Sequence, residues 1–162
     1  VHADASNFAE GVTKDEAYEQ VLLMAEGLYA DQRNWSIGGA SGHVNWAGFY
    51  VRDTTTQDQL ILGPFQGKVA CQTIAFGKGV CGAAAQSQET QLVRNVDEFP
   101  GHIACDGDSK SEIVVPIFSS TSGERRVVAI IDIDCAVLDG FDEVDQRHLE
   151  KLAGLLSRSC DW

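Results

Sequence analysis

SEIVVPIFSSTSGERRVVAIIDID, residues 111–134, holds two runs of β-branched and apolar residues on either side of the turn sequence TSGE. The pattern reads as two sequential strands joined by that turn. Strand side chains alternate between faces, so Val128, Ile130, Asp132 and Asp134 point one way. Val127, Ala129, Ile131 and Ile133 point the other way, and this wholly apolar face is expected to meet helices. In the first run Glu112, Val114, Pro116 and Phe118 share a face opposite Ile113, Val115 and Ile117. Three acids, Glu112, Asp132 and Asp134, are therefore expected at one end of the face away from the helices. One reading makes them strand-end charges in water. The other makes them a cation subsite, because two like charges about 7 Å apart repel unless something positive sits between them.

Outward from this pair of strands, Thr13-Lys14-Asp15-Glu16 is a capping box, and Ala17, Val21, Met24, Ala25 and Leu28 follow it at helical spacing. The spacing predicts a helix over about 14–33. HVNWAGFYVRD (43–53) and QLILGPFQG (59–67) read as strands, VACQTIAF (69–76) as a third, and TQLVRNV as a brief fourth. GKGVCGAAAQSQE (77–89) opens on glycines and reads as a short helix, and Phe99 to Ser111 as a loop. Asp142 is placed as the N-cap of a last helix with Val144, His148, Leu149, Leu152, Leu155 and Leu156 along one face. The fold class is α+β, a central antiparallel sheet with the N- and C-terminal helices on one face. A ligand pocket is expected on the other face, with the function between about residues 46 and 134.

A chain of 162 residues suits a single domain spanning 1–162. Its formal net charge of -12 repels phosphate backbones and anionic membrane surfaces, which argues against both as partners. No apolar run approaches the length of a membrane span, and no secretory signal is recognisable. The chain opens on Val1, not methionine, which leaves residues upstream open. The cysteine count of five is odd, and the absence of a CxxC pair fits neither a disulfide framework nor a zinc ribbon. A reducing, cytoplasmic location is expected, with no metal site: Cys71, Cys81, Cys105 and His102 lie at irregular gaps for zinc.

Cys105 is the conspicuous thiol, because it lies in a polar loop, GHIACDGDSKS, where a cysteine adds no packing. His102, three residues before it, reads either as a group that favours its thiolate or as an exposed loop histidine, whereas Asp106 and Asp108 oppose a thiolate. Trp46 and Tyr50 stand four apart on one strand face, either as core or as an aromatic wall for a ligand. Cys135 and Cys160 read as incidental thiols.

GPFQGKVACQTIAFGKGVCGAAA, FPGHIACDGDSKSEIVVPI, AIIDID and NWAGFY together resemble the free methionine-(R)-sulfoxide reductases, a branch of the GAF-domain fold. The resemblance runs from about Asn45 to Asp134. It implies a single GAF-like domain that reduces the R epimer of free methionine sulfoxide and leaves protein-bound residues alone. It makes Cys105 the attacking thiol and Cys71 and Cys81 the resolving positions. Glu112, Asp132 and Asp134 become substrate-binding acids, Glu112 also a proton donor, and Trp46 and Tyr50 the wall that faces the methyl group. It implies no prosthetic group, a thioredoxin-type external reductant, and a homodimer as one option. The turn over 119–126 is longer than the family's compact one. The chemistry agrees with that assignment: a sulfoxide oxygen leaves only when protonated as the thiolate attacks, and the resulting sulfenic acid condenses with a second thiol. Two other readings share the fold: a GAF module that senses a small metabolite without catalysis, and a thiol redox switch.

Overall fold

A computed structural model of the chain describes residues 13–16, 18–19, 22–23, 43–68, 70–102, 107–119 and 125–162. Val44–Arg52 (β1), Gln59–Gln66 (β2), Thr73–Ala75 (β3), Gln91–Val93 (β4), Ser111–Ser119 (β5) and Arg126–Cys135 (β6) form one sheet. Their order is β3-β2-β1-β6-β5-β4 and all neighbours are antiparallel. The two strands read first from the sequence thus lie side by side near the middle, where both faces can be buried.

One face carries Ile113, Val115, Ile117, Ala129 and Ile131 against Leu149, Ala153 and Leu156 of the C-terminal helix, Glu143–Ser159. On the other face, Tyr50, Leu60, Val114 and Ile130 meet Val80, Cys81, Ala84 and Ala85 of the short helix Gly79–Ser87. Small side chains let this pocket helix lie close to β3: a Cβ on Gly82 would stand 2.4 Å from the carbonyl oxygen of Ala75. Among the described residues no helix is long and apolar enough to cross a membrane.

The expected alternation holds for Ala129 and Ile131 but fails at the start of β6. Ile117 pairs with Ala129 and Phe118 with Val127, so Val128 is an extra residue in the ladder. Such a bulge inverts the phase of the strand beyond it. Val127 therefore packs on the pocket-helix side and Val128 on the C-terminal-helix side, the reverse of the periodic reading. The third strand is also shorter than read. Residues 70–72 leave the extended pairing, and the Cys71 carbonyl instead accepts the Tyr50 hydroxyl at 2.9 Å. The brief fourth strand ends at Val93, and Val96–Glu98 form a 3₁₀ turn in which the Asn95 side chain accepts from the Asp97 N–H. The loop around 34–42, Cys105, the turn tip 120–124 and the N-terminal helix beyond residue 23 lie outside the described residues.

The N-terminal helix is fastened through its first turns. Thr13 and Glu16 form the expected capping box, with the Thr13 N–H donating to the Glu16 carboxylate at 2.9 Å and the Glu16 N–H to Thr13 Oγ1 at 3.3 Å. Tyr18 stacks on His148 at a 5.0 Å centroid distance and donates its hydroxyl to Asp145 at 2.7 Å. Asp145 is buried and also accepts from Lys14 Nζ at 2.6 Å and from the Asp142 N–H at 2.8 Å. One carboxylate thus closes the capping box of the C-terminal helix and holds the N-terminal helix on the same face. Asp142→Ala removes the N-cap and an exposed ion pair with Lys14 at 3.1 Å, and is expected to cost about 1 kcal/mol. Asp145→Ala leaves several donors unpaired and is expected to cost more, roughly 2–3 kcal/mol. Urea denaturation of both variants checks the order; a smaller loss for Asp145→Ala contradicts it.

Candidate active site

The strand register gathers the acids. Across β5 and β6 Glu112 pairs with Asp134 and Val114 with Asp132, while β1 sets Trp46 opposite Asp134 and Gly48 opposite Asp132. Glu112, Asp132 and Asp134 line one cavity of about 190 Å³, together with Tyr50, Cys71, His102 and Ser109. The start of the pocket helix, Gly79 to Cys81, forms the opposite wall. Glu112 and Asp132 are only 6% and 5% exposed. The Cys81 thiol donates to Glu112 Oε1 at 3.7 Å, and Oδ1 of Asp132 is buried with no hydrogen-bond partner. An unpaired buried carboxylate oxygen is costly, and this one faces a space where a ligand's donor can reach it.

The aromatic pair divides its work. Tyr50 lines the cavity. Trp46 does not: its ring stacks between Tyr50 and Phe65, at centroid distances of 6.0 and 5.5 Å. Its Nε1–H donates to the Lys68 carbonyl at 3.2 Å. Gly48 makes that layer fit, since a Cβ there would come within 2.6 Å of the Trp46 ring and 2.5 Å of Phe65 Cβ. Trp46 therefore backs the wall that Tyr50 presents.

The cysteines separate equally clearly. Cys71 is half-buried at the cavity and Cys81 fully buried in it, whereas Cys135 and Cys160 are buried in the core beneath the C-terminal helix, away from the cavity. Cys105 is outside the described residues, but His102 and Ser109, which flank it in sequence, both belong to the cavity wall.

Burial pushes Glu112 well above the ordinary carboxylate value of 4.5, and the charges of Asp132 and Asp134 push it further. Burial and Asp134 do the same to Asp132, whose ordinary value is 3.8. Desolvation, then Asp132 and Glu112, raise the Cys81 thiol. Burial and mutual repulsion therefore favour the protonated forms of Glu112 and Asp132 and the neutral Cys81 thiol. His102 moves the other way, since burial lowers it below 6.5 against the weaker pull of Asp97. It is neutral at pH 7 and supplies no positive charge to favour a nearby thiolate, so that part of the sequence reading does not hold.

Residues 38–159 match the GAF domain family. Over 172 aligned residues the chain is 51% identical to the free methionine-R-sulfoxide reductase of Saccharomyces cerevisiae, covering 98% of this chain and 94% of the yeast protein. The chain belongs to the free methionine-R-sulfoxide reductase family. Its fold is shared with the solved family member from Neisseria meningitidis in complex with its substrate, at a TM-score of 0.81 and 38% identity, over 96% of this chain and 95% of that one. The Staphylococcus aureus member, also solved with substrate, superposes at a TM-score of 0.78 with 36% identity, over 95% of this chain and all of the other.

The reading from sequence missed Ser109, which is buried in the cavity wall and accepts from Asn45 Nδ2 at 3.0 Å, and Phe65, which closes the aromatic stack. A lone serine in a loop carries no spacing signal. Phe65 was visible in GPFQ, at the end of a strand adjacent to NWAGFY. The raised carboxyls make stability pH-dependent. Above their ordinary values the folded protein binds more protons at Glu112 and Asp132 than the unfolded chain does. Stability from this source is therefore lost as pH rises from about 4 toward the raised folded values, by up to about 1.4 kcal/mol per pH unit for each proton. Glu112→Gln removes one such group, so it is expected to gain stability over the wild type between about pH 5 and pH 8. Urea unfolding across that range checks the sign; a constant difference between the two proteins contradicts it.

Proposed function

We propose that the chain reduces free L-methionine-R-sulfoxide to methionine, with Cys105 as the attacking thiol. The observation that carries the reading is the convergence of Glu112, Asp132 and Asp134 with Cys71 and Cys81 on one cavity. Free methionine sulfoxide brings an ammonium group, which relieves the repulsion among the acids and gives the unpaired Asp132 oxygen a donor. A residue inside a polypeptide has no such cation. Selectivity for the free amino acid therefore comes from the cost of leaving the buried Asp132 oxygen without a donor.

Glu112, whose burial and acidic neighbours favour its protonated form, is the proton donor. The Cys105 thiolate forms a bond to the sulfoxide sulfur as Glu112 protonates the sulfoxide oxygen. The hydroxyl then passes from the methionine sulfur to the Cys105 sulfur as the S–S bond breaks and its electron pair returns to the methionine sulfur. Methionine thus leaves reduced by two electrons, and Cys105 is left oxidised by two, as a sulfenic acid. A second thiol then displaces water and forms a disulfide. Cys71 is the better resolving thiol: it is half-buried at the cavity wall, whereas burial first and then the neighbouring acids raise the Cys81 thiol and disfavour its thiolate. A thioredoxin-type dithiol restores the thiols without a prosthetic group, in the cytoplasm, and residues 1–162 act as a single domain.

Methionine release from free R-sulfoxide, with a thiol donor, tests the reading. Turnover is expected with that epimer and little with the S epimer or the N-acetylated form. Cys105→Ser is expected to abolish turnover and Glu112→Gln to lower kcat by about 10²–10⁴. After one equivalent of substrate without a donor, peptide mapping should join Cys105 to Cys71. Binding without turnover would instead favour a sensor, and equal rates on free and N-acetylated substrate would remove the acids from recognition.

A further inference from the structure

We propose that Cys81, Glu112 and Asp132 form a binding site for a thiophilic divalent cation such as Zn²⁺, whose occupation excludes the amino-acid ligand from the cavity. One sulfur and two carboxylate oxygens of these residues lie within 4.8 Å of one another, and all three side chains are buried at the cavity wall. Ligand atoms sharing a tetrahedral zinc stand about 3.4–3.6 Å apart, given Zn–S near 2.3 Å and Zn–O near 2.1 Å. The 3.7 Å separation of Cys81 Sγ and Glu112 Oε1 is already close to that. A second and independent pointer is Oδ1 of Asp132, a buried acceptor with no hydrogen-bond partner.

Three protein ligands leave a fourth position open to water from the cavity, the arrangement of an accessible zinc site. Binding displaces the protons held on Cys81 and on the carboxyls, and two positive charges then offset the repulsion that otherwise loads this corner. A sulfur ligand selects against Mg²⁺ and Ca²⁺, which take oxygen shells. The site uses Cys81, the thiol left over once Cys105 and Cys71 form the redox pair, and its competition with substrate rests on the reductase reading through the shared acids. Helix and strands come together here from positions 81, 112 and 132, so no spacing rule for cysteine and histidine would reveal it.

Co²⁺ added to the reduced full-length chain reports on the site directly, through the thiolate-to-cobalt charge-transfer absorption. A band that Zn²⁺ displaces and Mg²⁺ does not is expected. The double variant Cys71→Ser/Cys105→Ser should keep it, and Cys81→Ser should lose it. Asp132→Asn, which retains the thiol, should weaken Co²⁺ binding by at least about tenfold. Circular dichroism establishes that each variant is folded, and if Cys81→Ser is not, the affinity of Asp132→Asn decides. A band that survives Cys81→Ser, disappears with the double variant, or is unchanged by Asp132→Asn overturns the site. The band is read without turnover. Its absence in a protein that reduces sulfoxide defeats only the cation site, and its presence in a protein that does not defeats only the reductase reading.

Discussion

Glu112 and Asp132 are buried side by side, with Asp134 lining the same cavity, and among the described residues that line it the basic ones are Lys78 and His102. A fold does not place like charges together in a low-dielectric corner without a compensating device. Here the device is protonation, toward which burial and mutual repulsion shift Glu112 and Asp132, while Asp132 Oδ1 remains an acceptor to offer. The same constraint then sets the chemistry. A neutral carboxylic acid near a sulfoxide donates a proton, and a ligand that carries its own cation repairs the electrostatics that a peptide cannot.

The scaffold is arranged so that this corner can exist. β5 and β6 are central strands, and their two faces serve different layers: one is apolar and carries the C-terminal helix, the other ends in acids beneath the pocket helix. The bulge at Val128 confines the change of phase to the far end of β6, so the carboxylates at 132 and 134 keep their common side. On the distant face Asp145 does the opposite of the cavity acids. It is buried with Lys14, the Tyr18 hydroxyl and a backbone N–H around it, and its role is to hold helices together. Two buried acid settings in one small fold are thus told apart by their partners.

Much of this was legible in the residues. The alternation in AIIDID put both aspartates on one face and the apolar set on the other, and the capping sequences at Thr13 and Asp142 fixed where two helices begin. The setting of Cys135 and Cys160 apart from the site also follows from sequence context. What was not legible depends on contacts across the sheet. Period-two alternation cannot foresee an inserted residue, so the sides of Val127 and Val128 were reversed. The retreat of Trp46 behind Tyr50 depends on the space left by Gly48 and on Phe65 from another strand. The neutral state of His102 depends on burial, and a sequence holds no record of that.

The claim on which the rest stands is that burial and mutual repulsion shift Glu112 and Asp132 toward their protonated forms, and that a cationic ligand ionises Asp132 while Glu112 keeps its proton. Carbon nuclear magnetic resonance of labelled glutamate and aspartate carboxyls, assigned with Glu112→Gln and Asp132→Asn and followed over pH in the reduced protein, measures it. Both carboxyls are expected to titrate well above their ordinary values of 4.5 and 3.8; when free methionine sulfoxide is added, Asp132 is expected to shift toward the ionised form and Glu112 to keep its proton. Ionisation of both in the ordinary carboxylate range, unaffected by the ligand, would contradict the account.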